Sequence, residues 1–143
     1  MDLPVTRTDK SLPMPKYETP GACAFDVFAR ETTVVAPRSL GFIPTGLVVC
    51  VPEGHTLLLA SRSSTPKKKG LLIPHGVGIV DQDYCGPDDE MRVQVWNFTD
   101  EPVTVERGER VAQAMLVPIV RCSLTEVDAS TAKSRGGFGT TGQ

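Results

Sequence analysis

The chain has 143 residues, of which 40% are hydrophobic and 22% are charged, so we expect one globular domain with an ordinary core. Its formal net charge of −2 argues against broad, non-specific nucleic-acid binding, which needs a basic surface. No apolar run approaches the roughly 20 residues that cross a bilayer, and the first residues lack the apolar centre of a signal peptide. We therefore expect an intracellular protein.

Short apolar or alternating runs, each bounded by Gly, Pro or Asp, predict many short β-strands. In residues 91–97, for example, Val93 and Val95 alternate with more polar neighbours, as in a half-buried strand. In chain order the predicted strands are 24–29, 32–35, 46–51, 56–60, 77–80, 91–97, 103–105 and 111–117. Since twelve prolines leave little room for long helices, the expected fold is an all-β barrel, sandwich or jelly roll.

One local exception is the Ser-Arg-Ser-Ser-Thr-Pro run at residues 61–66, which is typical either of a short helical turn with Pro66 near its first position or of an ordinary hydroxyl-capped turn. The cysteines are widely spaced and include no Cys-x-x-Cys pair, so we expect reduced thiols rather than zinc ligands. They are Cys23, Cys50, Cys85 and Cys122.

Two acidic positions are candidates for chemistry. Asp26 lies between apolar residues at the start of a predicted strand; facing inward, it would need a cation, a metal-bound water or an arginine as partner. An Asp26 that faces outward would instead give no indication of a functional site. Asp81 ends the strand 77–80 and is a candidate general base for a water. The alternative for Asp81 is turn chemistry, because Asp-x-Asp is a common turn sequence.

Residues around Asp81 extend this candidate site. Gly78 lets a ligand approach the backbone closely, and a hairpin edge there can bind a base through main-chain donors and acceptors. Tyr84 can pack its ring on a sugar. Farther along the chain, Arg110 and Gln113 start a strand but are an odd number of residues apart, so they would not share a face of a regular strand. A structural salt bridge is the alternative for Arg110.

The glycine-rich end of the chain carries two cations and one aromatic ring. Such a segment is either a solvated terminus or an arm that orders around an anionic, ring-bearing ligand. Lys133 and Arg135 would then neutralise charge, and Phe138 would stack on a base. We expect a β domain over residues 1–128 and a flexible arm over residues 129–143 that closes over the site.

These segments together resemble the trimeric dUTP diphosphatases (dUTPases), because the five ordered motifs of that family all occur, spread over nearly the whole chain. The motifs are Ala-Phe-Asp-Val at 24–27, Ser-Arg-Ser-Ser at 61–64, Gly-Ile-Val-Asp-Gln-Asp-Tyr at 78–84, Gly-Glu-Arg-Val-Ala-Gln at 108–113 and Gly-Gly-Phe-Gly-Thr-Thr-Gly at 136–142.

The resemblance implies a jelly-roll-like homotrimer that hydrolyses dUTP to dUMP and pyrophosphate with Mg²⁺, which limits uracil in DNA and supplies dUMP for thymidylate synthesis. It implies three shared active sites. In each, one subunit provides the uracil hairpin, a second the phosphate-binding segments and a third the C-terminal arm.

Residue roles follow from the same resemblance. Asp81 corresponds to the base that orients the attacking water, and Tyr84 to the ring that packs on deoxyribose and disfavours a ribose 2′-hydroxyl. Ser63 corresponds to the hydroxyl near the α–β bridging oxygen, and Asp26 to an outer-shell contact with the waters of magnesium. The other implied substrate contacts are His75, Gly78, Ile79 and Val80 around uracil, Arg62, Ser64 and Gln113 around the phosphates, Arg110 as a brace, and Gly137, Phe138, Gly139 and Thr140 in the arm, with Phe138 covering uracil.

The chain departs from the family pattern at several positions. Lys133-Ser134-Arg135 replaces the usual Arg-Gly-x, so either cation is the candidate for the γ-phosphate. Phe25 replaces a more usual Tyr, and His75 stands where Asn is common. Residues 87–90, Pro-Asp-Asp-Glu, lengthen the connection after Gly86, and we expect them to form an acidic surface turn.

Three alternatives stay open at this point. A dCTP deaminase resembles the family in fold and in its Ser-Arg-Ser-Ser segment, but it needs a catalytic glutamate in the region of Asp81. A non-catalytic regulatory trimer would bind nucleotide without hydrolysing it. A plain β interaction domain would not be stabilised by nucleotide at all.

Overall fold

The computed structural model describes residues 1–137, which form short β-strands and one helix of five residues. The all-β architecture expected from the sequence is confirmed. The elements are β1 (Val5–Arg7), β2 (Phe25–Phe28), β3 (Thr33–Val35), β4 (Leu40–Pro44), β5 (Leu47–Val49), β6 (His55–Ala60), α1 (Thr65–Lys69), β7 (Leu71–Leu72), β8 (Val77–Val80), β9 (Arg92–Asn97), β10 (Val103–Val105) and β11 (Arg110–Pro118). No helix in this part of the chain is long and apolar enough to cross a bilayer.

The strands pair in antiparallel sheets whose neighbours are distant in sequence. The largest sheet has the order β2-β11-β6-β8 and a second has the order β4-β9-β7. Two strand pairs, β1-β5 and β10-β3, complete the arrangement. Neighbours that are not consecutive in sequence are typical of jelly rolls and Greek-key barrels.

The core forms where the sheets bury their apolar faces. Val93 and Val95 of β9 are buried, while Arg92 and Gln94 lie on the other face, as the alternating pattern predicts. Val27, Ile43 and Leu57, from three different strands, are completely buried. The predominance of β-branched side chains in this core favours strands over helices.

Strand β4 was not predicted, because Gly41 and Pro44 resemble turn residues. Both are compatible with its position at the edge of its sheet, where a proline does not interrupt a ladder. A Cβ atom at position 41 would lie 2.8 Å from Cγ2 of Val35, so this close approach to β3 requires glycine. The short strands β1 and β7 were also missed.

The expectation of reduced thiols is wrong for two of the four cysteines, because Cys50 and Cys85 form a disulfide with a Cα–Cα distance of 5.0 Å. Their separation of 35 residues gave no sign of this contact, since the fold rather than local spacing brings them together. Cys23 and Cys122 are free and exposed.

Replacing Cys50 with Ser should lower the free energy of unfolding by about 3–4 kcal/mol, because the disulfide restricts a loop of this length in the unfolded chain. Urea unfolding at fixed protein concentration, with and without a thiol reductant, measures the difference. The matched control Cys122→Ser should leave stability unchanged. A urea midpoint of the wild-type protein that is the same with and without the reductant would contradict the prediction.

Candidate active site

A cavity of about 670 Å³ is lined by residues of β8 and by residues of β4 and β9, which belong to another sheet. Its volume suits a ligand of nucleotide size. Six of the residues that the sequence analysis singled out line it together. They are His75, Gly78, Ile79, Val80, Asp81 and Tyr84. Phe42 and Met91 also line the cavity, and no motif in the sequence singles them out.

Strand β8 is at the edge of its sheet, since among the described strands it pairs only with β6. The Val77 N–H donates to the carbonyl of His75 at 3.0 Å and the Val77 carbonyl lies 2.7 Å from Nδ1 of His75, so the main-chain groups available to a ligand on the outer side of β8 are those after Val77. A Cβ atom at position 78 would lie 3.2 Å from Cβ of Leu59 and 3.4 Å from Cε1 of His75. Gly78 thus allows the strand, the histidine ring and β6 to approach one another closely.

The turn after β8 has several anchors. The Thr56 hydroxyl donates to the carbonyl of Val80 at 3.0 Å, and the Gln82 side chain donates to the carbonyl of His55 at 2.9 Å. The Tyr84 N–H donates to the carbonyl of Asp81 at 3.3 Å and closes the turn. Within residues 1–137 no donor reaches the Asp81 carboxylate, which is exposed and lines the cavity. Asp81 is therefore both a turn residue and a carboxylate available to a water.

A second polar cluster is centred on Asp26. Its side chain is only 14% exposed and accepts from Nε of Arg62 at 2.7 Å; Nη1 of Arg110 lies 3.1 Å from its other oxygen. Arg110 also contacts Glu18 at 3.3 Å. Of the partners that the sequence left open for Asp26, the arginine alternative is confirmed within the described residues.

A β-bulge explains why Arg110 and Gln113 belong to this cluster despite their odd spacing. Arg110 pairs with Phe28 and Ala112 with Val27, so β11 has one extra residue at this point. The extra residue shifts the alternation, and Arg110 then lies on the same face as Gln113, which pairs with Asp26. The sequence argument failed here because it assumed a regular strand.

The serine segment lies beside this cluster. The Gln113 side chain donates to the carbonyl of Ser61 at 3.0 Å, and the Ser61 hydroxyl accepts from the N–H of Ile73 at 3.0 Å. Helix α1 starts directly after Ser64, with Pro66 in its first turn, which confirms the predicted helical turn. Ser63 is exposed at the end of the segment.

Asp81 and the serine segment lie toward opposite ends of β6, whereas Val77 and Gly78 pair with Ala60 and Leu59, next to the serine segment. Val80 pairs with Leu57, whereas Ser61 follows Ala60 at the other end of the strand. Four residues of strand at roughly 3.3 Å each separate them by about 13 Å. Within one chain, residues 75–84 thus meet at the cavity and the cluster around Asp26 lies beside the serine segment, while Asp81 is separated from Ser61 along β6.

The arm is described only in part. No strand follows β11 within residues 119–137, and Lys133 and Arg135 are exposed. Gly137 is the last described residue, and Phe138, Gly139 and Thr140 lie outside the described residues. The division into a domain over 1–128 and an arm over 129–143 stays a prediction.

The expectation of an acidic surface turn at residues 87–90 is wrong for Glu90, whose side chain is only 15% exposed. It accepts from Nε of Arg30 at 2.8 Å and from the N–H of Gly46 at 2.6 Å. Burial opposes ionisation, but the hydrogen bonds from Arg30 and Gly46 outweigh it and hold the pKa of the Glu90 carboxyl below its ordinary value. No local signal could reveal a contact between residues 60 positions apart.

Comparison with known proteins identifies the family. The dUTPase family model matches residues 10–142. The deoxyuridine 5′-triphosphate nucleotidohydrolase of Lactococcus lactis subsp. lactis is 41% identical over 132 residues, covering 90% of this chain and 87% of that protein.

Two solved structures show the same fold. The dUTPase of Streptococcus mutans matches with a TM-score of 0.78 and 34% identity, over 86% of this chain and 99% of that one. The dUTPase of Staphylococcus bacteriophage 80alpha with dUPNHPP matches with a TM-score of 0.86 and 27% identity, over 99% and 98%. The jelly-roll-like fold is confirmed, and the chain belongs to the dUTPase family.

Proposed function

We propose that the chain hydrolyses dUTP to dUMP and pyrophosphate. The observation that carries the proposal is the cavity in which the free edge of β8, the exposed carboxylate of Asp81 and the ring of Tyr84 meet, in a member of the dUTPase family. A separate polar cluster with two arginines and an exposed serine provides the groups that a triphosphate needs.

The nucleoside half of the site has the chemistry to select deoxyuridine. Uracil presents two carbonyl acceptors and one N–H donor on its edge, and the edge of β8 presents main-chain groups of both kinds. Tyr84 packs its ring against the sugar. A ribose 2′-hydroxyl would be placed against ring carbons there and would lose its water without gaining a partner.

Asp81 has the position and state that a general base requires. Its carboxylate is exposed at the cavity and accepts no hydrogen bond within residues 1–137, so it can accept one from a water. In the proposed reaction it orients this water in line with the α-phosphorus and accepts its proton as the bond to the bridging oxygen breaks.

The phosphate half of the site neutralises charge. We assign the Ser63 hydroxyl to the α–β bridging oxygen, and Arg62, Ser64 and Gln113 to the phosphates. The described residues contain no group of three or more acidic, histidine or cysteine side chains that could hold a metal. This fits Mg²⁺ that is held mainly by the phosphates, with Asp26 reaching only its waters. When bound, the ion would neutralise phosphate charge.

Two observations support a homotrimer with shared sites. Asp81 follows Val80, which lies about 13 Å along β6 from Ser61, so in the proposed assembly a second copy provides the serine segment that acts with Asp81. Val34, Leu40 and Phe42 also expose half or more of their surface, an apolar area that another copy would cover. The arm, with Lys133 or Arg135 on the γ-phosphate and Phe138 on uracil, would come from a third copy.

Since dUTP belongs to the intracellular nucleotide pool, we propose an intracellular location.

Wild-type protein should release pyrophosphate from dUTP with Mg²⁺ and be far less active on dCTP, dTTP and UTP. Asp81→Asn should lower kcat by roughly 100- to 10,000-fold, the usual contribution of a general base, while a non-hydrolysable dUTP analogue still binds. The matched control Asp83→Asn, in the same turn but outside this cavity, should keep kcat within a few fold. Ammonia release from dCTP would identify a deaminase instead, and absence of pyrophosphate from dUTP would refute the proposal.

Ending the chain after Ala132 should nearly abolish hydrolysis but leave the assembly intact, because the arm contacts substrate and lies outside the strands. Sedimentation gives the mass of the assembly and pyrophosphate release gives the activity. Lys133→Ala and Arg135→Ala should have unequal effects, since one cation serves the γ-phosphate. Full activity of the shortened chain, or an active monomer, would contradict the shared site.

Asp26→Asn should reduce both stability and kcat/KM, because it weakens the contacts that orient Arg62 and Arg110 toward the phosphates. We expect a loss of about 1–3 kcal/mol in unfolding free energy, below the value for a fully buried pair because both arginines are partly exposed. Asp100→Asn is the control, since its pair with Arg38 is on the surface and should contribute little. Equal losses of stability and of kcat/KM in Asp26→Asn and Asp100→Asn would contradict the prediction.

A further inference from the structure

The Tyr84 side chain makes one hydrogen bond among the described residues. Its hydroxyl donates to the main-chain carbonyl of Glu90 at 3.0 Å, and the ring lines the cavity with 41% of its surface exposed. The position of the ring therefore depends on where that carbonyl lies.

The side chain of Glu90 restrains the position of its own main-chain carbonyl. It accepts from Nε and Nη2 of Arg30 at 2.8 and 3.3 Å and from the N–H of Gly46 at 2.6 Å. The next residue is also held, because the Met91 N–H donates to Leu47 at 2.8 Å and its carbonyl accepts from the Thr45 hydroxyl at 2.6 Å. Glu90 thus has little freedom to move.

The start of the segment from Tyr84 to Glu90 is also restrained. Cys85, next to Tyr84, is tied to Cys50 by the disulfide. A turn follows in which the N–H of Gly86 donates to the Asp89 carboxylate at 2.6 Å. The segment from Tyr84 to Glu90 is therefore a closed loop, and the ion pair with Arg30 holds the end that the tyrosine hydroxyl contacts.

We infer that Glu90 is a positioning residue that sets the place of the Tyr84 ring and thereby the selectivity for a deoxyribose over a ribose triphosphate. The inference rests on the proposed function, in which Tyr84 packs against the sugar. Glu90 itself does not line the cavity, so it acts through the carbonyl that receives the tyrosine hydroxyl.

The test is the ratio of kcat/KM for dUTP to kcat/KM for UTP. Glu90→Ala should lower this ratio about tenfold, the size expected when one hydrogen-bonded restraint is lost. Glu90→Gln keeps one acceptor oxygen and should give an intermediate ratio; it also decides the question if the alanine variant does not fold. Glu31→Gln is the matched control, because Glu31 contacts the same guanidinium at 3.1 Å but is 55% exposed. It should leave the ratio unchanged.

Tyr84→Phe separates positioning from general damage. If Glu90 acts through the tyrosine hydroxyl, Tyr84→Phe should lower the ratio, and adding Glu90→Ala to it should lower the ratio no further. An unchanged ratio in folded Glu90→Ala or Glu90→Gln, or a full additional loss in the double variant, would overturn the inference while leaving the proposed function intact. Wild-type protein that fails to hydrolyse dUTP would instead refute the proposed function, and this inference with it.

Discussion

The pairing of β6 on both sides is the constraint on which the arrangement of the site depends. Its partners are β11 and β8, and its residues Leu57 and Leu59 are buried between the sheets. An extended strand rises about 3.3 Å per residue, so the residues that flank its two ends stay far apart. Asp81, which follows Val80 at one end of β6, and the serine segment, which follows Ala60 at the other, are therefore kept apart, and this separation is the basis of the proposed site shared between copies.

A local irregularity completes the polar cluster around Asp26. The bulge in β11 places Arg110 and Gln113 on one face, next to Asp26 on the paired strand β2. Asp26 then contacts two guanidinium groups with its two oxygens, which satisfies a carboxylate that is largely removed from water. Polar residues can be held in place on this face because the opposite face of β2 contributes Phe25 and Val27 to the core.

The sequence predicts features that depend on local pattern or on motif order. The alternation in β9, the helical turn after Ser64 and the common cavity of Asp81 and Tyr84 are all of this kind. It does not predict features that depend on the fold as a whole. The Cys50–Cys85 disulfide and the contact of Arg30 with Glu90 join distant parts of the chain, and no local pattern encodes either of them.

The connection after Gly86, residues 87–90, illustrates why composition misleads at such positions. Ordering a loop costs conformational entropy, which its contacts must offset. Here the disulfide, the turn at Asp89 and the ion pair of Glu90 with Arg30 provide those contacts. Because the loop begins at Tyr84, the contacts that order it also restrain a residue of the cavity. Residues 87–90, which resemble a solvated acidic turn in sequence, thus help to hold a residue of the cavity in place.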